Sequence, residues 1–407
     1  MRTLGKLYKI LNTSKLLSHP SRYSELFQAL DLWLLQHKHL WDVSSFHSVG
    51  WPWQTIEPDL CDWLSQLKAC PTESTVEQAL FDHIKGFKPF LFEWEALSYA
   101  DLSLPPNYFS AGIKGRKWQQ ITAFSNRIEP ISPVLEWCAG KGHLGKLLAY
   151  QHDVSIHSVE WQAELCEAGQ IEAEQRQLSQ HFTQVDVLKG EGKTALKSVK
   201  SAVALHACGD LHTTLIEQAI DAGVSYLAIS PCCYYLTQHA LYQPLSKHGQ
   251  QARIQLSQEN LKLAVKEVAT AGQREQRLKK MELAYRLGFD SWQRKVTGND
   301  GYLTIPSCPK SLLTQGFEVF SLWAAEQKAL QTYASEIPFD GFEALGYLRS
   351  EHVQKVESIS QYFRRPLELW LVLDRALRLQ ETGYHVTIES FCDKALTPRN
   401  LLVCASL

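Results

Sequence analysis

The stretch VLEWCAGKGHLG, Val134 to Gly145, constrains this chain more than any other part of it. A short apolar run containing one acid leads into three glycines spaced over six residues. The run reads as a strand, and the glycines as a turn whose backbone, stripped of side chains, can approach a ligand closely. Gly140 and Gly142 let the chain curl under that ligand, while Gly145 lets the following helix pack tightly on a sheet. The N-terminus of that helix adds unpaired N–H groups. The unit is the opening of a doubly wound sheet, where ligands sit beyond the carboxyl ends of the strands at the point where strand order reverses.

Further strands follow. SIHSVEW, HFTQVDVL, AVALHAC and VSYLAIS are β-prone runs separated by helical patterns, the alternation of a parallel α/β sheet. Residues 1–110 read instead as an N-terminal helical domain: SELFQALDLWLLQHKHLW spaces Leu and Trp at three and four residues, and Pro105 and Pro106 break the pattern at its end. Residues 111–237 form the core, 238–364 a helical insertion, and 365–407 the end of the core. This last part comprises a helix with Leu367, Trp370, Leu373 and Leu377 inward and Gly383 as its stop, then two strands, HVTIESFC and NLLVCAS.

Composition excludes several classes. With 45% hydrophobic and 21% charged residues, and no apolar run near the ~18 residues of a membrane span, a water-soluble chain without membrane contact is expected. The N-terminus has no secretory pattern, so the expected home is cytoplasmic, where ten irregularly spaced cysteines default to thiols. A net charge of −2 gives no global pull toward nucleic acid. Locally, residues 241–300 hold eleven Lys or Arg against six Asp or Glu, a solvated helix face or a phosphate-tracking surface.

The spacing Gly140, Gly142, Gly145 fits a dinucleotide fingerprint, and Glu160 ends the second strand where a carboxylate can accept both ribose hydroxyls. Glu136, ahead of the loop, would repel a pyrophosphate but suits a ligand bearing an amino group and a sulfonium. S-adenosylmethionine is the ligand expected, with Asp186, closing the third strand, accepting from the adenine amino group.

With EWCAGKGHLG, LHACGDL, SPCCYY and the terminal LDRALRLQETGYHVTIESFCDKALTPRNLLVCAS in hand, the chain resembles class I methyltransferases that include the ribosomal-RNA-adenine-dimethylase-domain-containing proteins and, more distantly, the tRNA acceptor-stem 2′-O-methyltransferase. The resemblance covers about Gly112 to Leu236 and Pro366 to Leu407. It implies a Rossmann-like seven-stranded sheet whose last strand runs antiparallel, and an RNA substrate, tRNA or rRNA. Under it Glu136, Cys138, Gly140, Lys141, Gly142, Gly145, Glu160, Asp186 and His206 take cofactor roles. His206, Cys208, Asp210, Pro231, Cys232, Cys233 and Tyr234 take the rim of the reaction pocket. Where the family often has two lysines followed by His-Glu, this chain has Arg116 and Lys117, then Gln119 and Gln120, which suits polar orientation of cofactor or substrate.

The chemistry has more than one reading. His206 or Asp210 can take a proton from a hydroxyl or amine during direct methyl transfer; equally, they can cap a turn and open a helix. Cys232 and Cys233 can shape a turn, or Cys232 can attack a pyrimidine C6 for C5 methylation, with Cys208 releasing the enzyme. Convergence of Cys208, Cys232, Cys233 and His206 on zinc is a third reading, but adjacent cysteines seldom both ligate one ion, so no metal is expected. A protein or small-molecule methyltransferase and a non-catalytic cofactor-binding scaffold stay open.

Overall fold

The β-prone runs pair into one seven-stranded sheet. The computed structural model describes residues 16–47, 50–94, 102–103, 105–266, 273–336 and 338–407. In chain order its strands are β1 (Leu16–Ser18), β2 (Phe92–Trp94), β3 (Val134–Trp137), β4 (Ile156–Glu160), β5 (Gln180–Gln184), β6 (Ser201–Cys208), β7 (Tyr226–Cys232), β8 (His385–Ser390) and β9 (Leu401–Ser406). β1 and β2 make a small parallel pair, and the rest form a sheet in the order β5-β4-β3-β6-β7-β9-β8. Only β9 runs against its neighbours. The mixed α/β architecture and the antiparallel last strand match the expectation.

Strand order reverses at β3, which pairs with β4 on one side and β6 on the other. Every residue of β3 is buried, as a central parallel strand covered by helices requires. The helices Gly115–Ser125 and His143–Gln151 cover it through Ile121, Phe124, Leu144, Leu147 and Leu148.

The chain divides into two compact units, and their boundaries differ from those the sequence suggests. The sheet unit takes in Met1–Gln36, Phe90–Lys266 and Arg364–Leu407; the second comprises His37–Pro89 and Glu267–Phe363. The N-terminal region is thus no separate helical domain. Its first described helix, Tyr23–Gln36, belongs with the sheet, because the buried Asp31 accepts from Arg253 N at 2.9 Å and Trp370 Nε1 at 3.2 Å. Residues 238–266 are no part of a helical insertion either. Asp374 holds them by accepting from Tyr242 OH (2.6 Å), Leu245 N (2.8 Å) and Ser246 N (3.0 Å). Asp374 lies on the helix Arg364–Gln380, which buries Leu367, Trp370, Leu373 and Leu377 as expected, and Asp374 and Arg375 as well. A helix buried on all sides can carry charges only when they are paired.

The second unit is helical and has its own core of Tyr285, Phe289, Trp292, Phe317, Phe320 and Phe339. Gly288 and Gly346 let the helices Gln273–Thr297 and Phe342–Tyr362 cross closely, since a Cβ on Gly346 would overlap the Ala284 carbonyl. Among the described residues no helix is long and apolar enough to cross a membrane.

Candidate functional site

At the carboxyl ends of β3, β4 and β5 the turns leave a cavity of about 490 Å³. Its walls are Val159, Leu165, Val185, Val187 and Leu211, and Cys138, Gly140, Glu160 and Asp186 also line it. Glu160 is locked in place: Gly140 N donates to its Oε2 at 3.0 Å and Gln162 N to its Oε1 at 3.2 Å. Asp186 accepts from Leu188 N at 3.2 Å and pairs with Lys189 at 3.2 Å. Two carboxylates fixed by backbone donors over an apolar slot suit a nucleoside, with hydroxyls at one acid and an exocyclic amine at the other.

The structure separates the other expected cofactor residues from this cavity. Gly142 and Gly145 lie behind it, where a Cβ on Gly142 would meet Phe182 and one on Gly145 the Glu136 carboxylate. Glu136 is buried, accepting from Ser158 Oγ at 2.7 Å and Gln180 Nε2 at 3.3 Å. Burial pushes its carboxyl up to about 7 against the pull of those donors. Lys141 is exposed. Cys138 sits in the turn at φ +56°, and burial, with Glu160 nearby, pushes its thiol up to about 12.

The expected reaction residues gather at the ends of β6 and β7, beside β3. His206, at φ +67° in a bulge of β6, meets Gln120 Oε1 through Nε2 at 2.9 Å. Gln120 Nε2 also donates to the Leu396 carbonyl at 3.3 Å. That carbonyl can only accept, so the Gln120 oxygen faces the imidazole and His206 donates from Nε2, leaving the basic lone pair on Nδ1. Burial, Arg399 and Lys117 push His206 down to about 4, so the ring is neutral above that pH. Gln120 therefore orients a histidine rather than cofactor or substrate.

Asp210 and Tyr234 have structural partners. The Asp210 carboxylate accepts from Gln238 N at 3.0 Å, tying down the loop after β7. Tyr234 is buried beneath the Arg375 guanidinium, 4.8 Å from its ring centroid, and its hydroxyl donates to Pro231 O at 3.4 Å. Arg375 Nε donates in turn to His212 Nε2 at 2.8 Å.

Cys208, Cys232 and Cys233 converge, with Cys208 and Cys232 sulfurs 3.4 Å apart. Cys232 is buried and its thiol is pushed up by its bonds with Cys208 and Cys233, the opposite of what a nucleophile needs. The charge of the group falls on Cys233, whose pKa is driven down by hydrogen bonds with Cys208 and Cys232 and by Arg399.

Residues 116–240 match the family model of a methyltransferase domain. This stretch is similar to methyltransferase domains. The methyl donor that this match implies is S-adenosylmethionine, and Glu160 and Asp186, which line the cavity, lie within the matched stretch. A glutathione S-transferase C-terminal domain-containing protein of Xenopus laevis is 28% identical over 180 residues, 42% of this chain and 28% of that protein. The chain thus matches little more than a quarter of that relative's length. Two solved structures share 12% identity each. A Streptococcus pneumoniae protein described as a candidate tRNA (m1A22) methyltransferase covers 61% of this chain and 99% of its own, with a TM-score of 0.24. Coclaurine N-methyltransferase bound to N-methylheliamine and SAH covers 84% and 89%, with a TM-score of 0.26. Neither likeness is close enough to bear on the substrate.

Trp161, Leu188 and Arg399 were not singled out as site residues by sequence. Trp161 is 65% exposed and lines the domain's pocket directly after Glu160, an adjacency that carried the signal. Arg399 acts on His206 from a hairpin nearly two hundred residues away, and only the fold brings them together.

Proposed function

We propose that the protein methylates RNA, a tRNA or an rRNA, by direct transfer from S-adenosylmethionine to a hydroxyl or amine. The observation that carries the reading is the His206–Gln120–Leu396 chain, which fixes a neutral imidazole with its lone pair on Nδ1 at the end of the strand next to the pocket. A hydroxyl or amine becomes strongly acidic once it has received a methyl cation, so a weak base suffices to take its proton. Glu160 and Asp186 hold the nucleoside part of the donor, and the apolar walls exclude water.

RNA as substrate is supported by the resemblance of the motifs to ribosomal-RNA-adenine-dimethylase-domain-containing proteins and the tRNA acceptor-stem 2′-O-methyltransferase. Exposed Arg277, Lys279 and Lys280 on the helix Gln273–Thr297 add to it. The reading includes a cytoplasmic home, which suits ten cysteines joined by no disulfide. Nucleoside mass spectrometry of total RNA from cells with and without the protein tests it, followed by transfer of labelled methyl to RNA, protein and small-molecule fractions. Label appearing only in protein or small molecules overturns the RNA assignment.

A further inference from the structure

The three cysteines at the ends of β6 and β7 have a geometry that turn-shaping does not require. Their sulfurs all lie within 4.8 Å of one another. A tetrahedral zinc ion with Zn–S bonds of about 2.3 Å sets its sulfurs roughly 3.8 Å apart; the Cys208–Cys232 pair, at 3.4 Å, would open slightly, and no pair exceeds that spacing by more than about 1 Å. Cys208 and Cys232 are cross-strand partners and share a side of the sheet. Cys233, as the next residue, would point the other way in an extended chain. It does not, because its backbone turns to φ +48°, which brings its sulfur back to the other two. This removes the objection that adjacent cysteines rarely ligate together.

A left-handed non-glycine residue costs roughly 1–2 kcal/mol. His206 and Cys233 are both held this way at the ends of neighbouring strands. A turn with no side chain to aim would be made by glycine without that cost, and backbone outliers of this kind gather where side chains must be aimed.

We propose that Cys208, Cys232 and Cys233 bind one soft divalent metal ion, zinc(II) being the ion expected. Binding displaces up to three thiol protons to solvent and leaves a site of net charge −1, which the nearby Arg399 guanidinium balances. Three protein ligands leave one tetrahedral position for water or a substrate atom, the arrangement of an open rather than a purely structural zinc site. His206 stands outside the cluster, its Nε2 engaged by Gln120, so the three thiols are the ligands. The open place adjoins the strand where the methyl acceptor of the proposed reaction would lie, and a Lewis acid there would ease loss of its proton.

The test reads metal, not methylation. Protein purified without chelator should carry about one zinc per chain by elemental mass spectrometry. Stripped, reduced protein titrated with cobalt(II) should develop thiolate-to-cobalt charge-transfer absorption that saturates near one equivalent. C208S and C233S should each weaken cobalt binding by at least about 10–100-fold, while C166S, outside the cluster, leaves it unchanged. Circular dichroism identifies any variant that fails to fold, and the half-exposed Cys233 gives the variant least prone to that. Absence of the cobalt band in the folded wild-type protein, or its persistence in the folded C208S/C233S protein, overturns the site. Because neither readout needs S-adenosylmethionine, a metal-binding protein that fails to bind the cofactor would sink the methyltransferase reading and leave this one standing.

Discussion

At the ends of β3, β4 and β5 the groups that face the cavity are fixed by short-range backbone bonds: Glu160 by Gly140 and Gln162, Asp186 by Leu188. At the ends of β6 and β7, side by side with them, little is local. His206 is set by Gln120, 86 positions earlier, and is influenced by Arg399; Cys208 meets Cys232 across two strands. The first end is built by a pattern of turns, the second by the tertiary fold with left-handed backbone at His206 and Cys233, and in the proposed reading the first binds the donor and the second serves the reaction. Binding and reaction should therefore come apart under mutation.

The largest effect expected is on reaction without binding. H206A removes the oriented imidazole and should lower turnover about 10²–10⁴-fold with S-adenosylmethionine affinity unchanged, measured by calorimetry beside kcat. D210N retains an acceptor for Gln238 N and should stay close to wild type, whereas D210A should not. An equal loss in D210N and D210A would make Asp210 the proton acceptor and break the assignment to His206.

Stability against pH sharpens the comparison from the core behind the cavity, where Glu136 is buried. The Glu136 carboxyl is raised from its ordinary 4.5 to about 7, so between these values the native state keeps a proton that the unfolded chain gives up. Stability from this group is full below about pH 4.5 and falls as pH rises through about 7, by roughly 3 kcal/mol at about 1.4 kcal/mol per pH unit. E136Q, which cannot ionise, should lack that decline in thermal melts from acidic to mildly alkaline pH. Parallel curves for the two proteins would place the ionised carboxylate comfortably in its nest of Ser158 and Gln180.

Binding without reaction is the converse test. E160A removes a charge-assisted acceptor and should weaken S-adenosylmethionine binding by roughly 1.5–3 kcal/mol, while turnover at saturating cofactor is largely kept. Unchanged affinity would mean that the ribose is held elsewhere.

The same contrast explains what the sequence made legible. Strand, turn and acid recur in order along β3, β4 and β5, so the sheet and the pocket acids Glu160 and Asp186 could be read from spacing. Glu136 could not be placed, because whether a strand-end acid faces ligand or core depends on Ser158 and Gln180 of neighbouring strands. Tyr234 looked like a pocket residue, but Arg375, 141 positions on, covers it. The unit boundaries were missed for a related reason. Helical periodicity identifies the helices around residues 23–36 and 58–83 alike, yet only the buried Asp31, with its partners Arg253 and Trp370, assigns the first of them to the sheet unit.

The smallest effect concerns the helix Gln273–Thr297 of the second unit. Its basic run is not uniform. Arg286 is tied to Glu282, Ile305 O and Pro306 O, and Arg294 to Asp290, so these cations serve the unit's own structure. Arg277, Lys279 and Lys280 are exposed, with Lys279 in a loose 3.8 Å pair with Glu275. If these three track phosphates, their reversal to Glu should flatten the dependence of RNA affinity on salt, the slope falling by about one for each phosphate that is no longer neutralised. Cofactor affinity should not move, because the groups that line its pocket all belong to the sheet unit. Filter binding of tRNA over a salt series, for wild type and the triple variant, measures this. Coincident slopes would reduce the run to a solvated helix face and leave RNA recognition to the sheet unit.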